Sequence, residues 1–280
     1  MSQNIGKRMV SSFKNGGALT KLIYINILVF ILPIIFYIPF MLADFDKQIY
    51  YDTLLGWLGV PADLDNLQHC PWSIISYMFV HFNFMHLLFN MLWLHWFGSL
   101  FLTYFSNKQL TTLYLMGGII GAFTYILSFN SLPFFSDIIR VNSWTIGASA
   151  SIMAITLAVC THMPQSNVYI FLLGPVRLVY VALFIVFIDI ISIQTSNPGG
   201  HIAHLGGALT GILFTLAVHF SKKGSTHQMK FENQSMHTPK DNPKRKNHEQ
   251  INDILDKISN SGYDSLTREE KSILFKADEK

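Results

Sequence analysis

The chain has 280 residues, of which 50% are hydrophobic and only 13% charged, and its formal net charge is +3. Soluble domains carry about a quarter of their residues as charged side chains, so lipid must solvate much of this surface. The small basic excess is not a nucleic-acid footprint, because it sits at the two ends of the chain, beside apolar segments, where it acts as a topology signal.

The first 21 residues hold Lys7, Arg8, Lys14 and Lys21 with no acid, and read as a cytoplasmic tail. Residues 22–220 follow as a membrane domain. Against the roughly 20 residues needed to cross a bilayer, six apolar runs stand out, near 22–43, 82–103, 110–130, 146–163, 177–193 and 202–220. The first is not preceded by a cleavable signal pattern and is expected to remain as an anchor, with Pro33 and Pro39 as tolerated kinks. The loop at 44–72 carries Asp44, Asp46, Asp52, Asp63 and Asp65 against Lys47 alone, and is expected outside. Lys108 and Arg177 then fall on the cytoplasmic side, and Arg140 is an exception on the outer side. Cys70 and Cys160 are expected on opposite sides of the membrane as small apolar fillers.

With both termini cytoplasmic, the second, fourth and sixth spans all enter from the outer face, and their first turns hold the polar residues. His81, His86 and Asn90 begin the second, Ser149 the fourth, and His201 and His204 the sixth. At 1.5 Å per residue, Ser149 and His204 lie about one to two turns below the outer edge, where water reaches. Polar side chains at membrane depth are costly and point to function. A serine hydroxyl needs a base to become a nucleophile, and His204 is the candidate. Ala203, Gly207 and Gly211 form a small-residue stripe on the sixth span, facing Gly147, Ala148, Ala150 and Ala154 of the fourth, which lets the two helices approach closely. His86 and Asn90, four apart, share one helical face and can supply oxyanion donors with the Ser149 backbone N–H. The competing reading has Ser149 bonding its own helix, His204 as a satisfied polar group, and His86 and Asn90 joining helices.

Asp189 lies in the fifth span. A role as third member orienting His204 competes with a structural hydrogen bond, and its place on a separate helix favours the latter. Zinc ligation by His81, His86, His201 and His204 is not expected, because His81 and His86 diverge around the helix; no metal and no cofactor are called for. His95, Trp93 and Trp96 read as interface anchors.

Residues 221–247 read as a basic, flexible linker held near the membrane by charge. Residues 248–280 read as a small cytoplasmic helical hairpin: Ile251, Ile254, Leu255 and Ile258 recur at helical spacing, Gly262 stops that helix, and Thr267-Arg268-Glu269-Glu270 fits a capping box before Ile273, Leu274 and Phe275. A piece this small needs a surface to dock on, so self-association or partner docking is expected there.

Three motifs in order on spans two, four and six resemble the rhomboid proteases: His81-Phe82-Asn83-Phe84-Met85-His86-Leu87-Leu88-Phe89-Asn90, then Gly147-Ala148-Ser149, then Ala203-His204-Leu205-Gly206-Gly207 with Gly211. The resemblance covers roughly residues 20–220. It implies an all-α polytopic fold of six transmembrane helices, a Ser149/His204 dyad with no required third acid, oxyanion donors at His86, Asn90 and the Ser149 N–H, and supporting roles for His81 and Gly147. It also implies hydrolysis of peptide bonds in or near transmembrane segments of membrane-protein substrates, with residues 194–201 as cap and the fifth span as gate. The compact form resembles bacterial members, so a bacterial inner membrane is expected, with the active site opening to the outer face. Two positions depart from the family: Ala150 stands where a glycine usually follows the serine, and Trp72-Ser73 replaces a Trp-Arg pair. The alternative reading is a non-cleaving relative that binds transmembrane clients.

Overall fold

A computed structural model describes residues 5–135, 142–170, 174–194, 197–235, 254, 257–258 and 266–272. Helix α1 (Ile5–Asn15) occupies most of the expected N-terminal tail, and α2 (Ala18–Leu42) starts four residues before the expected span. The reason is a cap from a distant residue: the Ala18 N–H donates to Asn107 Oδ1 at 2.8 Å. Buried Asn26 joins α2 to the core, its Nδ2 donating to the Tyr114 hydroxyl at 3.1 Å.

The acidic loop is itself helical, with α3 (Lys47–Leu58), α4 (Leu64–His69) and α5 (Ser73–Ser76). Asp46 caps α3 by accepting from Ile49 N–H, and Asp63 caps α4 by accepting from Asn66 N–H, both at 3.0 Å. No arginine is needed to anchor this segment. Trp72 Nε1–H donates to the Trp57 carbonyl at 2.8 Å, and the Ser76 hydroxyl donates to the Leu58 carbonyl at 2.9 Å.

Helix α6 (Phe84–Leu102) is capped by Asn83, and α7 (Asn107–Ser131) opens with a Ser106/Gln109 capping box. Next come α8 (Ser149–His162), α9 (Leu178–Ser192) and α10 (Pro198–Ser235). Two short antiparallel ladders depart from the all-α expectation. Strand β1 (Val60–Pro61) pairs with β2 (Trp144–Thr145), and β3 (Asn167–Ile170) with β4 (Gly174–Arg177), where Val168, Tyr169, Ile170 and Val176 favour extended backbone.

Four helical segments are long and apolar enough to cross a bilayer: Ala18–Leu42, Phe84–Leu102, Asn107–Ser131 and Pro198–Ser221. The fourth and fifth expected spans are shorter, α8 with 14 residues and α9 with 15. They rise only about 21–22 Å, against roughly 30 Å of hydrocarbon. Helix α8 is enclosed by protein, since every residue from Ala150 to Cys160 is buried. Non-helical backbone at its ends is then tolerable at depth.

Glycines set how closely α8 is gripped. A Cβ at Gly207 would collide with the Ala150 carbonyl, and one at Gly211 with the Ala154 carbonyl, so the expected small-residue contact between the fourth and sixth spans exists. On the other side Gly117, Gly118 and Gly121 of α7 receive Ala154, Ser151 and Ala150. Both cysteines are free and buried.

Residues 223–280 form a second compact unit. Helix α10 continues to Ser235, into residues whose composition reads as linker. The Thr267 capping box is present: Thr267 N–H donates to Glu270 Oε2 at 2.7 Å and Glu270 N–H to Thr267 Oγ1 at 3.3 Å. Lys257 pairs with Glu270 at 2.8 Å. Ile251, Leu255, Gly262, Ile273, Leu274, Phe275 and Arg140 lie outside the described residues.

Candidate active site

Ser149 is the first residue of α8, and the turn before it is fixed from several directions. Pairing of β1 with β2 brings in the chain up to Thr145, Gly147 N–H donates to the Tyr77 carbonyl at 2.9 Å, and Ala148 N–H donates to His81 Nε2 at 3.4 Å. Because His81 Nε2 accepts, its Nδ1 carries the proton and faces the Phe79 carbonyl at 3.3 Å. His81 precedes α6 and is 2% exposed; burial, and secondarily His86, push its pKa down to about 4. The neutral tautomer this turn requires is therefore held.

Gly147 has φ +115°, a conformation that side chains rarely adopt, and a Cβ there would lie 2.7 Å from His86 Cε1. Glycine at this position lets the turn before Ser149 pass directly over the His86 ring. His81 and His86 meet edge to face at 4.9 Å, so His81 lies behind His86 and the turn.

Asp189 departs from expectation. Its Oδ1 accepts from His204 Nδ1 at 2.8 Å and from His201 Nδ1 at 2.7 Å. It does make a hydrogen bond, as expected, but the partner is the candidate base itself. The carboxylate only accepts, so His204 Nδ1 is the donor and Nε2 is left as the free ring nitrogen. Asp189 Oδ2 is buried with no hydrogen-bond partner among the described residues.

Ser149, His204, His86 and Asn90 all line one cavity of about 430 Å³. Its walls include Phe89, Trp93, Ile146, Phe184 and Ile188, so the polar groups converge in an apolar chamber. Asn90 spends one amide hydrogen on the His86 carbonyl at 2.8 Å and retains the other. Trp93, read as an interface anchor, lies mid-helix instead: its Nε1–H donates to Thr156 Oγ1 at 3.1 Å and its ring faces the cavity. The Ala150 methyl packs toward Gly121, away from the cavity, so this departure adds no bulk on the cavity side of Ser149. Helix α10 begins at Pro198, a good first helical residue, with Asn197 Oδ1 accepting from Gly200 N–H at 3.2 Å; residues 195–196 of the expected cap lie outside the described residues. Among the described residues one three-residue donor group occurs, Asp189, His201 and His204.

A comparison with protein families matches the Rhomboid domain to residues 68–221, just over half of the chain. The chain belongs to the rhomboid family. Residues 241–276 match a second family, DUF6576, a family of unknown function. Similar curated rhomboid proteins include presenilin-associated rhomboid-like protein A, mitochondrial, of Danio rerio, 32% identical over 139 residues, covering 49% of this chain and 34% of that protein. RHOMBOID-like protein 12, mitochondrial, of Arabidopsis thaliana is 30% identical over 145 residues, covering 49% and 43%. The human presenilin-associated rhomboid-like protein, mitochondrial, is 27% identical over 161 residues, covering 54% and 38%. The matched part thus spans less than half of each of these relatives. They are mitochondrial proteins of animals and a plant, so they do not carry the bacterial affiliation expected from the sequence.

Proposed function

We propose that this rhomboid-family protein is an intramembrane serine protease that hydrolyses peptide bonds in or near transmembrane segments of other membrane proteins. One observation carries the reading: Ser149 and His204 open onto the same apolar-walled cavity while His204 Nδ1 is tied to Asp189. An imidazole held this way offers Nε2 as the acceptor for a serine proton.

In this mechanism Ser149 Oγ gives its proton to His204 Nε2 and attacks the scissile carbonyl. His86, Asn90 and the Ser149 backbone N–H stabilise the oxyanion. His204 returns the proton to the leaving amine, and water then resolves the acyl-enzyme by the same route reversed. Asp189 is a positioning residue, fixing the tautomer and ring plane of His204. His81 and Gly147 hold the nucleophile turn. No metal or cofactor takes part in these steps.

The proposed topology has six crossings, with α8 and α9 as short spans and both termini on the cytoplasmic side; the placement of Lys and Arg supports it. The active site then opens to the outer face. The bacterial inner membrane and the mitochondrial setting of the relatives are the competing locations. The C-terminal helices are proposed to serve self-association or partner docking.

The test is cleavage of a single-span reporter, carrying small residues near the outer end of its span, in liposomes with wild-type protein, Ser149→Ala and His204→Ala. Cutting by wild type alone supports the proposal. Capture of the reporter without cutting would favour the client-binding alternative.

A further inference from the structure

The carboxylate of Asp189 is unusual in having two imidazoles on one oxygen and nothing on the other. His201 and His204 lie one turn apart on α10 and turn their Nδ1 atoms toward the same Oδ1, while Oδ2 is buried with no hydrogen-bond partner among the described residues. A carboxylate with an unmatched buried oxygen favours added positive charge close by. One ligand atom from each of the three residues falls within 4.8 Å of the others.

Two imidazoles and one carboxylate are a donor set that zinc uses when it keeps a fourth position for water. Tetrahedral ligands at their usual bond lengths stand roughly 3.3 Å apart. Each ring nitrogen stands 2.7 or 2.8 Å from the carboxylate oxygen and would withdraw from it by about half an ångström, while the donor atoms, all within 4.8 Å of one another, would close to that spacing around the ion. The His201 and His204 side chains are 20% and 22% exposed, and Asp189 and His204 line the cavity, which gives an ion a route in.

We propose that Asp189, His201 and His204 form an inhibitory site for a divalent transition-metal ion of the zinc class. The binding stands on this geometry alone; the inhibition rests on the protease reading above. When the metal forms a dative bond to His204 Nδ1, the hydrogen bond to Asp189 is broken and the ring's proton relocates through solvent to Nε2. The imidazole stays neutral, but the nitrogen needed to take the Ser149 proton now bears one. The metal also takes up the carboxylate that oriented the ring. The free enzyme is the active form, and metal availability sets how much of it is free.

The test uses the purified full-length protein in detergent, with Co2+ as the optical probe and Zn2+ as the inhibitor. His201→Phe removes one ligand while keeping a ring, and His201→Cys restores a ligand of different shape. Tetrahedral Co2+ absorption is expected in wild type and His201→Cys and not in folded His201→Phe. Zn2+ is expected to suppress labelling of Ser149 by a serine-reactive phosphonate in wild type, reversibly with a chelator. With each variant scaled to its own metal-free rate, His201→Phe should need at least about tenfold more Zn2+. Equal Zn2+ sensitivity of wild type and His201→Phe, or no tetrahedral Co2+ signal in labelling-competent wild type, would overturn the proposal. A Co2+ signal with the expected variant pattern in protein that never labels would uphold the metal site and count against the protease reading.

Discussion

His204 Nδ1 lies 2.8 Å from Asp189 Oδ1, so the candidate base on α10 is held by an acid on α9. Asparagine in place of Asp189 keeps the size of the side chain but no longer dictates which ring nitrogen carries the proton. Asp189→Asn should lower turnover by about 100-fold or more, with little change in melting temperature. The decisive readout is the pH profile: a positioning role shifts or flattens its lower limb, whereas a merely structural hydrogen bond leaves its shape unchanged.

The turn at Gly147 combines a positive φ with a ring beneath it. Gly147→Ala should cost about 1–2 kcal/mol in backbone strain alone and push His86 or Ser149 out of place. Thermal melting should fall modestly while reaction of Ser149 falls much further, and equal losses of both would contradict this account of the turn.

Ala150 stands after Ser149 where the rhomboid resemblance leads one to expect glycine, yet its methyl points to Gly121. Ala150→Gly should therefore leave turnover within a few-fold and destabilise the protein by about 1 kcal/mol. Gly121→Ala should be the damaging change, because its new methyl would lie 2.7 Å from that of Ala150. Melting curves and initial rates of the two variants separate these effects.

His81 is buried, and its pKa is pushed down to about 4 from an ordinary 6.5. As pH falls, the unfolded chain takes up this proton first. The contribution of His81 to stability is therefore complete above about pH 6.5, is lost between there and about 4, and then stays flat; the loss is on the order of 3 kcal/mol. Melting temperature measured from pH 7 to 4.5 should fall more steeply for wild type than for His81→Gln, and parallel slopes would remove His81 from the explanation.

Much of the membrane core could be read from the chain. His86 and Asn90 of α6, Ser149 of α8 and His204 of α10 gather on one cavity, and the small residues Gly207 and Gly211 bring α10 against α8. The sequence offers Asp189 as a partner for His204 but favours a structural hydrogen bond elsewhere, since the contact depends on how α9 and α10 meet across the connection between them. The helices inside the acidic loop are hidden in the sequence because Asp46 and Asp63 serve as helix caps, while their charge reads equally well as a topology signal. The shortness of α8 goes with the neighbours that surround it, which no apolar run reveals. The early start of α2 depends on a cap from Asn107, 89 residues away.

The most direct measurement is fluorophosphonate labelling of the purified, folded protein, comparing wild type with Ser149→Ala and His204→Ala. Wild type should label at Ser149, and neither variant should label. Labelling that survives in His204→Ala, or a well-folded wild type that resists a second serine-reactive chemotype as well, would contradict an activated Ser149.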